Sequence, residues 1–281
     1  MKIALGALPL ALAACGGAGP QAAPSATPEP SPTAAAKAPT VQPLPLAAPS
    51  TSADGAAAFV KNGAGWQPIL YLCDGVDGSQ VAAVSATGLW TFAKPGLDVT
   101  TQTIALGEPD AGAGSVFRDM LSEGAVVGAV RSINPGMLGP ASATTLPTLS
   151  SIRIGTRETP CRWLPAARLL IVTARRSAMV TRDGDGSYTY RSFDYDRPGR
   201  VTHRGEAGTS NTPTVEVRGG RLVAGPAGTE TYEFSTAPWT YRVTASARAA
   251  APGASVTVLN DGRAVTRAEA IAYEMAAARI D

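Results

Sequence analysis

The chain has one histidine, His203, four lysines, three cysteines, 6% aromatic and 16% charged residues in 281. Each scarcity excludes something. A serine-histidine-acid hydrolase has only His203 to move its proton, and no Gly-x-Ser-x-Gly elbow occurs. His203 lies in Arg200-Val-Thr-His-Arg204, where cationic neighbours favour its neutral form; it is read as a surface residue without catalytic duty. One histidine and three cysteines cannot furnish a usual zinc set, so no metal and no cofactor is expected. A net charge of +2 speaks against a nucleic-acid partner. No uninterrupted apolar run reaches the ~18–20 residues of a spanning helix.

What is abundant is proline and glycine, 23 and 30 residues, unevenly spread. Residues 16–57 hold nine prolines, from Pro20 to Pro49, three charges (Glu29, Lys37, Asp54) and no aromatic; all sixteen aromatics lie at Phe59 or beyond. Such a segment buries too little apolar surface to offset the entropy of ordering itself. It predicts a disordered tether over 15–57, followed by a folded unit over 58–281.

The chain opens with Lys2, an apolar stretch from Ile3 to Ala14, and then Cys15. That is the pattern of a secretory signal over 1–14. The junction Leu12-Ala13-Ala14-Cys15-Gly16 resembles the lipobox of bacterial lipoproteins. The resemblance covers about five residues plus the apolar stretch before them, and it implies that Cys15 becomes the lipidated N-terminus. The membrane is then a partner through that lipid, in the bacterial envelope. Gly16, in place of an aspartate, resembles the pattern sorted to the outer membrane. With Cys15 acylated, Cys73 and Cys161 remain as an even pair in an oxidising compartment, and a disulfide between them is expected.

The folded part reads as short strands punctuated by turns. Gln67 to Cys73, Val81 to Val84 and Leu89 to Phe92 are apolar or β-branched. Ala178–Arg182 and Ser187–Arg191 flank Asp183-Gly184-Asp185-Gly186; Thr214–Arg218 and Arg221–Ala224 flank Gly219-Gly220; Ser255–Leu259 runs into Asn260-Asp261-Gly262. These are hairpin signals, because tight turns need φ > 0, which Gly, Asn and Asp tolerate best. Two helices are also expected, a short one over Ser115–Glu123 and a C-terminal one from Arg267 to about Arg279. The second rests on the capping-box pattern Thr266-Arg-Ala-Glu269 and on the spacing of Ile271 and Met275. The fold class is therefore mainly β, an antiparallel sandwich or barrel-like domain with a C-terminal helix. A sub-boundary near Ser150 is allowed by the Gly/Pro/Ser/Thr-rich stretch from Asn134 to Ser150.

Charge is segregated. Residues 151–248 carry 15 Arg, no Lys and nine acids, net +6, whereas 58–150 have four basic and seven acidic residues, net −3. A basic face formed by Arg175, Arg176, Arg182, Arg191, Arg197, Arg200 and Arg204 would hold anionic lipid, anionic glycan or an acidic envelope protein; the alternative is pairing of these arginines with acids of the other half. Asp183, Asp185, Asp194 and Asp196 are the carboxylates a hydrolase would use. Tyr71-Leu72-Cys73 with Ser85-Ala-Thr-Gly88-Leu-Trp90 is similar, over fewer than thirty residues, to the start of the small β-barrel lipoprotein inhibitors of lysozyme. The leading expectation is an envelope lipoprotein with a non-catalytic binding or structural domain. The alternatives are a carboxylate-based envelope hydrolase and an inhibitor or docking module for a secreted enzyme.

Overall fold

Turn chemistry and alternating apolar residues produce strands throughout. The computed structural model describes residues 57–94, 98–112, 114–134, 146–203 and 208–276, and among them every regular element is a strand. The signal peptide, Cys15, the tether before residue 57, and Arg204 lie outside the described residues.

In chain order, β1 (Ala57–Asn62) and β2 (Gly65–Pro68) form a hairpin. β3 (Tyr71–Asp74), β4 (Gln80–Val84), β5 (Gly88–Ala93) and β6 (Val99–Thr103) form an antiparallel meander. β7 (Ala105–Leu106), β8 (Asp110–Ala111), β9 (Ser115–Ser122), β10 (Ala125–Ile133), β11 (Leu149–Ile154) and β12 (Arg157–Pro160) make a second sheet. Then come β13 (Ala167–Thr173), β14 (Arg176–Arg182) and β15 (Tyr188–Asp194), the short ribbon of β16 (Val201–His203) with β17 (Thr209–Asn211), and β18 (Val215–Val223), β19 (Thr229–Thr236), β20 (Trp239–Ser246), β21 (Gly253–Asn260) and β22 (Arg263–Met275).

Eight of these strands close into an antiparallel barrel in the order β13-β14-β15-β18-β19-β20-β21-β22. Closure depends on the length of β22. Its first half pairs with β21, from Asn260↔Arg263 to Ser255↔Glu269, and its second half pairs with β13, from Thr173↔Ala270 to Leu169↔Met275. A closed sheet must stagger its strands, and one long strand serving two neighbours at different heights supplies that stagger. β1 lies along the other side of the same half of β22, with Ala57 opposite Met275.

Strand β13 shows why the core is layered. Its residues Ala167 to Thr173 are all buried, because Leu169 and Ile171 enter the barrel while Leu170 and Val172 face outward onto the β3–β6 sheet. A strand covered on both faces reads as a run rather than an alternation. Strand β4 repeats the arrangement one layer out, with Val81 and Ala83 toward the barrel and Ala82 and Val84 toward the second sheet. There, Met120, Val130, Leu149 and Ile152 complete a third apolar layer around Cys73 and Cys161. Those cysteines form the expected disulfide, tying β3 to the segment that follows β12.

Aromatic side chains fill the barrel. Tyr190 stacks on Tyr241 with ring centroids 5.1 Å apart and meets Phe234 at 5.5 Å, and Tyr188 meets Tyr232 edge-on at 4.8 Å. Gly220 lies directly against the Phe234 ring, where no Cβ fits.

Three local expectations are corrected. No C-terminal helix is present up to Met275: Thr266, Arg267, Ala268 and Glu269 sit in strand β22, and Arg267 and Glu269, two apart on one face, form an ion pair (2.6 Å) in place of a capping box. Alanine-rich sequence has weak strand preference, but pairing with both β21 and β13 decides the conformation; residues 277–281 lie outside the described residues. Ser115–Glu123 is strand β9 with the turn residue Glu123, held by eight register pairs with β10. Gly219-Gly220 is not a hairpin turn. Gly219, at φ +74°, kinks the continuous strand β18 where it changes partner from β15 to β19, as a bulge does at a barrel corner. Ser150 lies inside β11, and the described residues on both sides of it belong to one unit.

Candidate functional site

The barrel ends, where strands give way to turns, are the places a rigid sheet can present side chains to a ligand. One end carries a groove of about 560 Å³ lined by Ala174, Arg175, Arg176, Asp194, Tyr195, Asp196 and Arg197. Its walls are the β13–β14 turn and the chain leaving β15. The Thr173 hydroxyl stabilises that turn by donating to the Arg176 carbonyl (2.9 Å) and accepting from the Arg176 N–H (3.3 Å). The Tyr195 N–H donates to the Arg175 carbonyl at 3.0 Å, which fastens the two walls together. The Tyr195 hydroxyl is 3.0 Å from that of Ser177, and burial pushes its titration well above the ordinary tyrosine range.

Three of the seven arginines singled out in the sequence meet in this groove. Arg176 is ion-paired with Asp194 at 3.2 Å, whereas Arg175 and Arg197 are exposed and form no ion pair among the described residues. The others lie elsewhere. Arg191 is on the outer barrel wall, bonded to Glu216 (2.9 Å) and the Thr181 hydroxyl (2.9 Å). Arg182 is at the opposite end of β14 from Arg176, about 20 Å away at ~3.3 Å per residue, and Arg200 is exposed before β16.

The segregated charge resolves into ladders on neighbouring strands. Glu216 takes Arg191 and Arg218, and Glu233 takes Arg221 and Arg242, each of its bonds at 2.8 Å. Burial alone would raise the Glu216 carboxyl, but the bonds and charges of Arg218 and Arg191 hold it below the usual range. At Glu233 the hydrogen bonds from Arg242 and Arg221 do the same.

The four aspartates that a hydrolase would need fall into two separate pairs. Asp183 accepts from the Thr189 hydroxyl (2.7 Å) and Asp185 from the Ser187 N–H (2.9 Å), so both hold the β14–β15 turn. Asp194 and Asp196 are at the other end of β15, again about 20 Å away, whereas glycosidase carboxylates work at roughly 5–9.5 Å. His203 lies in β16. Among the described residues, no group of three or more His, Cys, Asp or Glu is placed to hold a metal.

A buried charge cluster had no counterpart in the sequence reading. Asp74 is fully buried and accepts from Arg162 Nε at 2.7 Å and from Lys94 Nζ, whose ammonium also reaches the Gly75 carbonyl at 3.1 Å. Arg162 donates further to Ser210 (3.2 Å) and Asn211, and its guanidinium lies 3.5 Å over the Phe193 ring; Lys94 sits 4.5 Å over Tyr195, a groove residue. Burial pushes the Asp74 carboxyl up, but the charges and bonds of Lys94 and Arg162 outweigh it and hold the group at about 2. Asp74 follows Cys73 and Arg162 follows Cys161, so an opposite charge directly after each half-cystine was the available signal.

The described part thus defines a disulfide-bonded antiparallel β protein, a closed eight-stranded barrel backed by two sheets, with an arginine-bearing groove at one barrel end. No protein-family model, no curated protein and no solved structure matches this chain.

Proposed function

We propose that the chain is a lipid-anchored protein of the bacterial envelope, at the outer membrane, whose β domain binds an anionic ligand without catalysis. The observation that carries the binding part is the groove: Arg175 and Arg197 stand at its mouth uncommitted to any described carboxylate, with Arg176 beside them. Guanidinium groups present several donors in a fixed plane and suit phosphate and carboxylate oxygens. A hydrolase would have to rest on Asp194 and Asp196, which share the groove, since Asp183 and Asp185 hold the turn at the other end of β15.

The envelope part rests on Leu12-Ala13-Ala14-Cys15, and the Cys73–Cys161 bond supports an oxidising compartment. Each acyl methylene buried in the bilayer contributes about 0.8 kcal/mol, so a multiply acylated Cys15 would anchor firmly. Two experiments test the reading. Cys15→Ser should move the protein from the membrane to the soluble fraction; unchanged membrane association would refute the anchor. Retention of the full-length protein on outer-membrane lipid or peptidoglycan should fall with rising salt and with Arg175→Ala plus Arg197→Ala. Retention indifferent to both would refute the groove.

A further inference from the structure

A second groove, of about 540 Å³, shares no residue with the arginine groove and has no charged side chain in its wall. It is lined by Thr101, Gln102 and Thr103 of β6, by Asn62 and Gln67 of the β1–β2 hairpin, and by the β4–β5 turn. Thr101 stands opposite Trp90, which packs toward the barrel, so Thr101 and Thr103 share that face and Gln102 has the other. Consecutive residues of one strand line a single groove where the groove follows the strand's edge. That edge is open. β6 pairs with β5 alone; the Ala93 N–H donates to the Asp98 carbonyl (3.3 Å) and the Ile104 N–H to the Thr87 carbonyl (3.1 Å), so Asp98 and Ile104 turn toward β5. Alternation sends the backbone groups of Thr100 and Gln102 the same way and those of Val99, Thr101 and Thr103 outward. The Thr103 carbonyl accepts a long bond from the Ser122 hydroxyl (3.4 Å), and the outward groups of Val99 and Thr101 have no described strand beside them.

An exposed strand edge is a template for another chain, and proteins blunt such edges with proline, charge or brevity. Among the described residues, the other strands that end a sheet are protected in these ways. β2 sets Pro68 on its outer edge, since the next N–H, of Ile69, turns inward to the Ala58 carbonyl (3.0 Å). β12 carries Arg157, Glu158 and Pro160, β3 is buried from Leu72 to Asp74, and β7, β8, β16 and β17 have only two or three residues. β6 has neither proline nor charge from Val99 to Thr103, and Val99 is 48% exposed.

We propose that this edge receives an extended, uncharged segment of a partner protein, which adds a fifth strand to the β3–β6 sheet and lays alternate side chains into the groove. The outward groups of Val99, Thr101 and Thr103 recur every second residue, about 6.7 Å apart, the spacing at which an extended peptide presents its own N–H and C=O groups. A saccharide has no such repeat. Main-chain bonds supply the affinity in this mode and the groove supplies the selectivity. The amides of Asn62 and Gln67 and the hydroxyls of Thr101 and Thr103 both donate and accept, so they suit Ser, Thr, Asn or Gln side chains. A charged side chain would lose water there and meet no counter-charge. The inference is independent of the arginine groove and stands whether or not that groove takes an anion.

The test titrates the full-length protein in detergent into a labelled, capped peptide, Thr-Val-Thr-Asn-Thr-Val-Thr, and reads fluorescence anisotropy. The peptide should bind, and methylating its three central amide nitrogens should weaken it by about tenfold or more, because neither of its edges can then pair. Thr101→Pro removes an outward N–H and leaves the ladder to β5 intact, so it should weaken the peptide by about three- to tenfold and melt near the wild-type temperature. Thr101→Lys, which keeps the N–H but sets a charge on the edge, should weaken it as well, and serves if proline disturbs β6. Arg175→Ala plus Arg197→Ala should bind the peptide like the wild type, which separates this edge from the arginine groove. No binding of the parent peptide, equal affinity for the methylated one, or full affinity in both Thr101 variants would overturn the proposal. Self-association of the full-length chain that Thr101→Pro abolishes would assign the edge to a second copy and overturn the partner segment, as would tighter binding of maltotriose than of the peptide.

Discussion

Glu274 offers the sharpest test of the packing described above. It sits on β22 between Ala58 of β1 and Leu170 of β13, 3% exposed, and its Oε1 has no hydrogen-bond partner among the described residues. Burial pushes its carboxyl from 4.5 up to about 8. Folding therefore takes up a proton across neutral pH. Below about pH 4.5 both states are protonated and the group costs nothing through ionisation; above it, the unfolded chain gains by ionising and the folded one does not until about pH 8. Stability should fall by about 1.4 kcal/mol per pH unit in that window, or on the order of 3–4 kcal/mol between about pH 5 and 8. That is a large share of a typical total of 5–15 kcal/mol. Glu274→Gln keeps the shape and removes the titration. Urea unfolding across this range should show a steep loss in the wild type and a nearly flat profile in the variant. Equal slopes in the two proteins would refute the buried, unpaired carboxyl.

Four more outcomes follow from particular contacts. Asp74 is held at about 2 against an ordinary 3.8, so its contribution, on the order of 2–3 kcal/mol, is present above about pH 4 and lost as pH falls toward 2; with Glu274 acting from the other side, wild-type stability should peak near pH 4–5 in pH-dependent unfolding. Asp74→Asn should cost about 3–5 kcal/mol by leaving Lys94 and Arg162 as buried cations, measured by denaturant midpoint at neutral pH. The Cys73→Ser, Cys161→Ser double variant frees a loop with a sequence separation of 88 and should lose about 4–5 kcal/mol by the chain-entropy model. Gly220→Ala drives a methyl into the Phe234 ring and should cost about 1–3 kcal/mol, whereas Gly184→Ala, with nothing near its Cβ, should change stability by less than about 0.5 kcal/mol.

Local chemistry was readable where it was self-sufficient. Asp183-Gly184-Asp185-Gly186 turns β14 into β15 because the two aspartates hydrogen-bond Thr189 and Ser187 within six residues, so nothing distant is needed. The Cys73–Cys161 pair followed from an even count once Cys15 was set aside. β22 was misread because Ile271 and Met275 fit a helical spacing, and alanines at 268, 270 and 272 do not discriminate. What makes this segment a strand is two partners, β13 about a hundred residues earlier in sequence and β21 immediately before it. The same holds at Gly219-Gly220, where a glycine pair at a barrel corner has the composition of a hairpin turn.

The charge distribution shows the limit most clearly. A net +6 segment beside a net −3 segment suggests either one basic face or pairing between the halves, and the register of the barrel gives a third answer. Glu216 and Glu233 each bridge two arginines because antiparallel pairing sets Arg191 opposite Glu216, and Arg221 and Arg242 on either side of Glu233. Four of the nine acids of 151–248, Asp194, Glu216, Glu230 and Glu233, pair with arginines of the same segment, and among the described residues only Asp74 and Asp77 of the earlier half form ion pairs with arginines of the later one. Among the described residues, Arg153, Arg175, Arg182, Arg197, Arg200 and Arg248 of that segment form no ion pair, and two of these six, Arg175 and Arg197, line the groove. Arg175 follows a turn residue and Arg197 follows the end of β15, positions with no strand opposite to supply a carboxylate, and it is there that uncompensated arginine and a groove coincide.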